Sequence, residues 1–513
     1  MLFDSGNTLV FPDLPGGDKP AITLAMHQTP GGDAFWLSGK EGSIKEVDAT
    51  SMASSTMVMD LSGGIFYDGS PEEGLLDFAF NPMFETNGYF YVSYTIQDDV
   101  IRNRLSKFQY YSQDPDGTRE SEDILLTSEA RLDYLHNGGW LGFKPSDYGS
   151  SAGSHDLYWS IGDGGPQEDP MNHAQRTDTL FGSVIRISVP SDGSGYDVPS
   201  GNYPGELPEI CAIGLRSHWR CGFDRDTDDL YCGSVGDAKL ESIYKIECGN
   251  NYGWSRFEGS RCTEFSQMRD GSCEGADRSF YTPPIFEYCH FDYSYDDSDA
   301  LFTDGNNPCG DRFVVGNAVI GGYVYRGQAY ADQDVYGAFI FADYEARNVY
   351  YIKEQSDGTW VPGTIISDGS VQVVSFSEDI NGEIMMIDQS NNVYYLPCGD
   401  VCENGDDDFA EGPGIDSDDP ETLEYEELGC FVDAKSRVLT GRRIEDSTMT
   451  NKECAALCEG FTFFGTEYSD ECYCGSDDDD PTRLGDGTCD RPCAGDLSAT
   501  CGGRWSISVY KFV

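Results

Sequence analysis

The sequence predicts an all-β domain over residues 1–398, followed by a small disulfide-rich α+β module over residues 428–513. Three observations carry this expectation. Apolar runs before residue 397 are short, often alternating, and separated by Gly, Asp, Asn and Pro. Eight of the 18 cysteines crowd into the final module. Between the two lies an acidic stretch, residues 399–427, punctuated by Gly and Pro.

Each element follows in order. Tyr89-Phe90-Tyr91-Val92-Ser93-Tyr94, Asp156-Leu157-Tyr158-Trp159-Ser160-Ile161 and Asn392-Val393-Tyr394-Tyr395-Leu396 are strand-sized and rich in residues that suit a pleated surface. The recurring unit is an apolar strand, an Asp/Asn-Gly turn and a second apolar strand. Stacked antiparallel hairpins, as in propeller blades, account for it, although periodicity alone leaves the blade number open. Asp406-Asp407-Asp408 and Asp416-Ser417-Asp418-Asp419 repel one another, so residues 399–427 are expected as an extended linker. In the last module residues 450–458 form the one good helix pattern. A core of that size is limited, and four disulfides would compensate.

Composition excludes several classes. A 513-residue chain with 39% hydrophobic and 13% aromatic residues can build cores. A formal charge of -57 repels phosphate backbones and anionic membranes, so nucleic-acid binding is not expected. No apolar run reaches the ~18 residues of a membrane span. The cysteine count is even, zinc-knuckle spacing is missing and the six histidines are scattered, so disulfides and an extracellular or cell-surface location are expected. Met1-Leu2-Phe3-Asp4-Ser5 does not read as a signal peptide.

Five motifs carry chemistry. His136-Asn137-Gly138-Gly139 and Gly162-Asp163-Gly164-Gly165 are one hairpin apart, so both belong on loops at the same end of it. A loop histidine beside a carboxylate can serve as a general base with its orienting partner; a plain turn is the structural alternative. Gly214-Leu215-Arg216-Ser217, Val235-Gly236-Asp237 and Gly249-Asn250-Asn251-Tyr252-Gly253-Trp254 follow. Taken in this order, with Glu73-Gly74-Leu75-Leu76 upstream, these motifs resemble the glucose/sorbosone dehydrogenase family. That family includes the soluble quinoprotein sugar dehydrogenases, the fungal pyranose dehydrogenases and the Hedgehog-interacting-protein-like proteins. The resemblance spans about residues 60 to 396, and Trp219-Arg220-Cys221 with Cys232-Gly233 is closest to the last branch.

The resemblance implies a six-bladed β-propeller with its site at the mouth of the central channel, and a PQQ cofactor with Ca²⁺. It places His136 on the general base that takes the sugar hydroxyl proton, and Asp163 on the nearby carboxylate. Arg216, with Ser217 beside it, falls on the cofactor-contacting arginine segment, where fixed positive charge would stabilise charge developing on the quinone. Gly236 and Asp237 fall on the loop whose carbonyls hold calcium. Basic residues from the later blades should hold the cofactor's carboxylates; Arg347 is offered there, and the stretch 373–379 has none. Leu135 stands where bacterial members carry a substrate-binding aspartate. Asn251, Tyr252 and Trp254 are expected as blade packing.

Residues 428–513 are similar over their whole length to the WSC domain, with all eight cysteines in place. That resemblance implies glycan binding, with Tyr468, Tyr473 and Trp505 as aromatic platforms for sugar rings. Two functions compete. One is a PQQ- and Ca²⁺-dependent sugar dehydrogenase held to polysaccharide by the WSC module. The other is a non-catalytic propeller that binds a glycan or a protein ligand on its face. Cys221 and Cys232, and likewise Cys262 and Cys273, are expected to pair across short turns.

Overall fold

The computed structural model describes residues 23–396, except 50–54, 71, 132, 264–279, 292–313, 315, 332 and 368. In the C-terminal region it describes 425–512, except 434–436, 440–442, 446–448, 459–460, 470, 477–478, 480, 483–484, 486, 490, 494–498 and 504–505. The chain divides into two compact units, Met1–Gly405 and Asp406–Val513. Among the described residues no helix is long and apolar enough to cross a membrane.

The first unit is all-β with a few short helical turns. Six antiparallel sheets follow one another along the described chain, each begun by the strand that lies innermost. Sheet I starts with Thr23–Gln28, sheet II with Leu75–Phe80 and sheet III with Leu141–Phe143. Sheet IV starts with Cys221–Phe223, sheet V with Val319–Val324 and sheet VI with Val373–Glu378. Five have four strands and sheet VI has three; a separate two-stranded ribbon pairs Phe257–Glu258 with Arg261–Cys262.

Packing explains why these strands are buried on both faces. Leu75–Phe80 is buried at every position, because each sheet is covered by a neighbour on either side. Apolar clusters lie between successive sheets. Trp36 of sheet I meets Phe80 and Phe90 of sheet II edge-on, with ring centroids 4.8 and 5.1 Å apart. The same relation repeats around the unit. The final cluster joins Met385 and Ile387 of sheet VI to Met26, Phe35 and Leu37 of sheet I. Among the described residues the last sheet therefore packs back onto the first and closes the ring. Ser377 Oγ donates to Met26 O at 2.5 Å and Thr23 N to Asn391 Oδ1 at 2.8 Å across that closure.

Cysteines brace the sheets. Cys221 and Cys232 stand directly opposite each other in sheet IV and are bonded. Cys211–Cys248, which the sequence pattern did not indicate, ties sheet III to the loop after Leu240–Ile246 in sheet IV. Cys262 is disulfide-bonded, but Cys273 lies outside the described residues.

The second unit is a five-stranded sheet in the order Tyr425–Val432, Ser506–Phe512, Phe463–Glu467, Glu471–Gly475, Arg443–Glu445. Helix Asn451–Leu457 packs on Phe463–Glu467. The first strand begins at Tyr425, inside the stretch expected as linker, because residues 425–427 pair with 510–512. Cys430–Cys489, Cys454–Cys472, Cys458–Cys474 and Cys493–Cys501 are all internal to this unit.

Candidate functional site

The starts of the inner strands converge on one mouth of the ring. Leu141–Phe143 pairs antiparallel with Ser154–Ile161, Leu141 facing Trp159. The segment before the first strand and the segment after the second therefore share one end, as the hairpin spacing predicted. His136 Nδ1 lies 2.6 Å from Asp163 Oδ1, and both side chains are buried. His136 sits at φ 58°, a left-handed turn that aims its ring at the mouth. Glycine is required beside it: a Cβ on Gly162 would meet His136 O at 2.3 Å and Arg216 O at 2.9 Å. Three motif segments thus touch through backbone alone.

Asp163 is held from four directions. Besides His136, it accepts from Gly165 N at Oδ1 (2.9 Å) and from Trp254 Nε1 at Oδ2 (2.7 Å), and its own N–H donates to Arg216 O (2.7 Å). Burial alone would raise its carboxyl. The charge and hydrogen bond of His136, with the Arg216 guanidinium, outweigh burial and hold it below the ordinary carboxylate value. In a neutral imidazole, an ionised Asp163 favours the tautomer with the proton on Nδ1, so that Nε2 carries the lone pair.

Arg216 lies over the Trp254 ring, 5.4 Å from its centroid. Its guanidinium donates to Val235 O at 3.2 Å and to Asp237 Oδ1 at 2.9 Å. Trp254, expected as packing, is buried, and its N–H and ring face also link Asp163 to Arg216. Sequence alone gives such an indole no second role, since both contacts lie far away along the chain.

The Gly236-Asp237 loop is organised by a buried carboxylate. Glu258 Oε1 accepts from the N–H groups of Asp237, Ala238, Lys239 and Leu240 at 2.8, 2.9, 2.8 and 3.0 Å. Gly236 N donates to Glu241 Oε1 at 3.2 Å. The amides are thus committed to protein carboxylates, and the oxygens of the loop are the donors a hard cation would use.

A pocket of about 220 Å³ opens at this mouth. Its polar lining includes Lys40, Glu72, His136, Arg216, Ser217 and Gln389. Its walls are apolar, among them Leu24, Trp219, Ile320 and Val374. Asp388 also borders it, but its carboxylate is taken up by Ser390 N, Asn392 and Tyr394 in its own turn. Lys40 was not singled out in the sequence. It sits on the turn between Ala34–Gly39 and Ser43–Asp48, and Leu75 N donates to its carbonyl at 3.0 Å. That contact seats the turn against Glu73-Gly74. Burial first, and then the charge of Arg220, lower the Lys40 ammonium to about 8, while Glu72 opposes them.

The remaining expected residues fall elsewhere. Arg347 is exposed at φ 57° and does not line the pocket, so it is not brought to the cofactor position assigned to it. Tyr473 is 1% exposed, covered by the core of its unit. It donates to Glu471 Oε2 at 2.7 Å and carries Arg437 4.7 Å above its ring. It therefore offers no free face to a sugar, because position 473 of its strand points inward. Tyr468 is partly exposed, with Arg491 5.2 Å over its ring. Trp505 lies outside the described residues.

Comparison with known proteins identifies the family of each unit. The family model described as glucose / sorbosone dehydrogenase matches residues 20–358, and the WSC domain model matches residues 427–503. The HIPL2 protein of Arabidopsis thaliana is 27% identical over 348 residues, covering 58% of this chain and 46% of that protein. The Hedgehog-interacting protein of Mus musculus is 24% identical over 417 residues, covering 75% and 51%. The chain thus spans about half the length of these curated relatives. The PQQ-bound form of aldose sugar dehydrogenase from Streptomyces coelicolor superposes with a TM-score of 0.52 at 18% identity, over 74% of this chain and 94% of that one. At that identity the likeness establishes a shared fold.

Proposed function

We propose that this chain, which belongs to the glucose/sorbosone dehydrogenase family and carries a C-terminal WSC domain, is an extracellular sugar dehydrogenase built on a six-bladed propeller and anchored to glycan. The observation that carries the enzymatic reading is the His136–Asp163 pair at the mouth of the ring, with Nε2 left for a substrate hydroxyl. His136 takes the hydroxyl proton at that atom, and Asp163 stabilises the resulting imidazolium in place. Trp254 holds both Asp163 and Arg216 against rotation.

The residues present fit a small planar anion. Lys40 and Arg216 provide two cations, Ser217 a hydroxyl, and the apolar walls a slot for a flat ring system. These residues would hold PQQ, and Ca²⁺ would take oxygens of the Gly236-Asp237 loop. When bound, the quinone supplies a two-electron acceptor for the hydride that leaves the sugar carbon. Lys40 is a cation from the first sheet where the resemblance implied basic residues from the last ones.

A second reading has its own observation. Arg216 is already ion-paired with Asp237, and Hedgehog-interacting proteins are among the relatives, which favours a propeller mouth used to bind a protein ligand without turnover. One experiment separates the two. The purified chain, incubated with PQQ and Ca²⁺, should show the absorbance of the bound quinone and reduce an artificial acceptor in the presence of an aldose. No quinone binding at saturating Ca²⁺ would sink the enzymatic reading.

A further inference from the structure

The ring has a second mouth, where the inner strands end. A cavity of about 670 Å³ opens there. Every sheet contributes a strand-end residue to it: His27, Phe80, Phe143, Phe223, Tyr323 and Glu378. It is cut off from the His136 mouth by a plug in mid-channel. Asp77 accepts from His27 Nε2 at 2.9 Å and from Arg220 at 3.3 Å, and Arg220 also donates to Leu24 O and Leu76 O. The space around this plug is closed.

The chemistry of the cavity points away from ions. Its cation Arg225 is consumed: Nε lies 2.7 Å from Glu378 Oε1, and the guanidinium also donates to Asp379 O and Ile380 O. Glu85 adds a further carboxylate, and the chain as a whole carries -57, so an anionic ligand would be repelled. The walls are rings. Tyr148 is 41% exposed, and its hydroxyl, bonded to Phe80 O at 3.2 Å, sets the ring's orientation. Trp140, Phe223 and Tyr323 also line the cavity, Trp140 and Phe223 largely buried. Burial pushes the Glu378 carboxyl up to about 7, with Arg225 opposing, so near neutral pH it can both donate to and accept from a hydroxyl. Aromatic faces with a few carboxylates and amides suit a ligand that has apolar ring faces and hydroxyl edges.

We propose that this second mouth binds a neutral oligosaccharide, with Tyr148 as its stacking platform and Glu378 and Glu85 as hydroxyl partners. The site does not depend on how the His136 mouth is read. It would let the propeller hold a polysaccharide chain on the side opposite the catalytic pair.

Hydrogen–deuterium exchange on the full chain tests this with cellotriose, laminaritriose, mannotriose and triacetylchitotriose as probes. At least one should protect amides of residues 80–86 and 142–151, and titration should give a saturable affinity. Tyr148→Ala should weaken that protection about tenfold or more, Tyr148→Phe should keep it within a few-fold, and His136→Ala should leave it intact. Three results would overturn the proposal: protection that survives Tyr148→Ala, protection lost with His136→Ala, or protection of these segments by none of the sugars, whether or not a proline-rich decapeptide protects them.

Discussion

The two units are held together in different ways, and their candidate sites differ accordingly. The propeller unit closes a ring of apolar clusters, so its covalent braces supplement a core that already exists. Among the described residues the WSC unit has two small clusters, and it has four internal disulfides. In the propeller, His136, Asp163 and Arg216 do meet, because rigid strands deliver their loops to one mouth, although Arg347 does not join them. In the WSC unit, one of the aromatics expected on the surface is part of the core. A small domain spends its large side chains on burial first, so aromatic content there is a poor guide to a binding face.

Reduction should expose this contrast most strongly. Each disulfide contributes roughly 2–4 kcal/mol by constraining the unfolded chain, so removing four should unfold the WSC unit. The propeller transition should move far less. Calorimetry of the full chain with and without dithiothreitol would show two transitions separating; a joint collapse would mean that the propeller leans on its disulfides as heavily.

Next in size is His136→Ala. Loss of a general base should lower turnover by roughly 10²–10⁴-fold while quinone affinity changes little. The propeller transition should shift down, because the buried Asp163 loses a partner, while the WSC transition stays in place. A parallel loss of quinone binding would assign His136 to the cofactor pocket instead.

Tyr473→Ala should act on stability and leave turnover alone. Truncating a buried ring of this size costs about 3–5 kcal/mol, and here it also releases Arg437 and Glu471. Tyr468→Ala, on a partly exposed ring, should shift the WSC transition far less. If glycan pull-down weakens for Tyr468→Ala and the fold persists, Tyr468 is on the binding face.

The smallest effect is expected at Lys40. Its ammonium is charged below about 8 and neutral above, so the pocket loses one of its cations as pH rises through that value. Quinone affinity should fall across the same window, and Lys40→Met should weaken it about tenfold and flatten the pH dependence. Affinity that climbs with pH would remove Lys40 from the cofactor site.

Much of this was legible in the residues. Short apolar runs and turn chemistry determined an all-β unit, and the ordered motifs determined its family. The hairpin between His136 and Asp163 determined that they share one end, because antiparallel pairing leaves no other choice. Cysteine density determined a separate, internally bonded module. Tertiary structure decided the rest. Arg347 and Lys40 each stand at a turn between strands of the propeller unit, yet only the one seated against Glu73-Gly74 reaches the pocket. Trp254 became a link between Asp163 and Arg216 only when the neighbouring sheets III and IV packed together. The second mouth, too, exists only because six strand ends converge. Local pattern records which face of a strand is apolar; it does not record which other strand that face, or the loop beyond it, will meet.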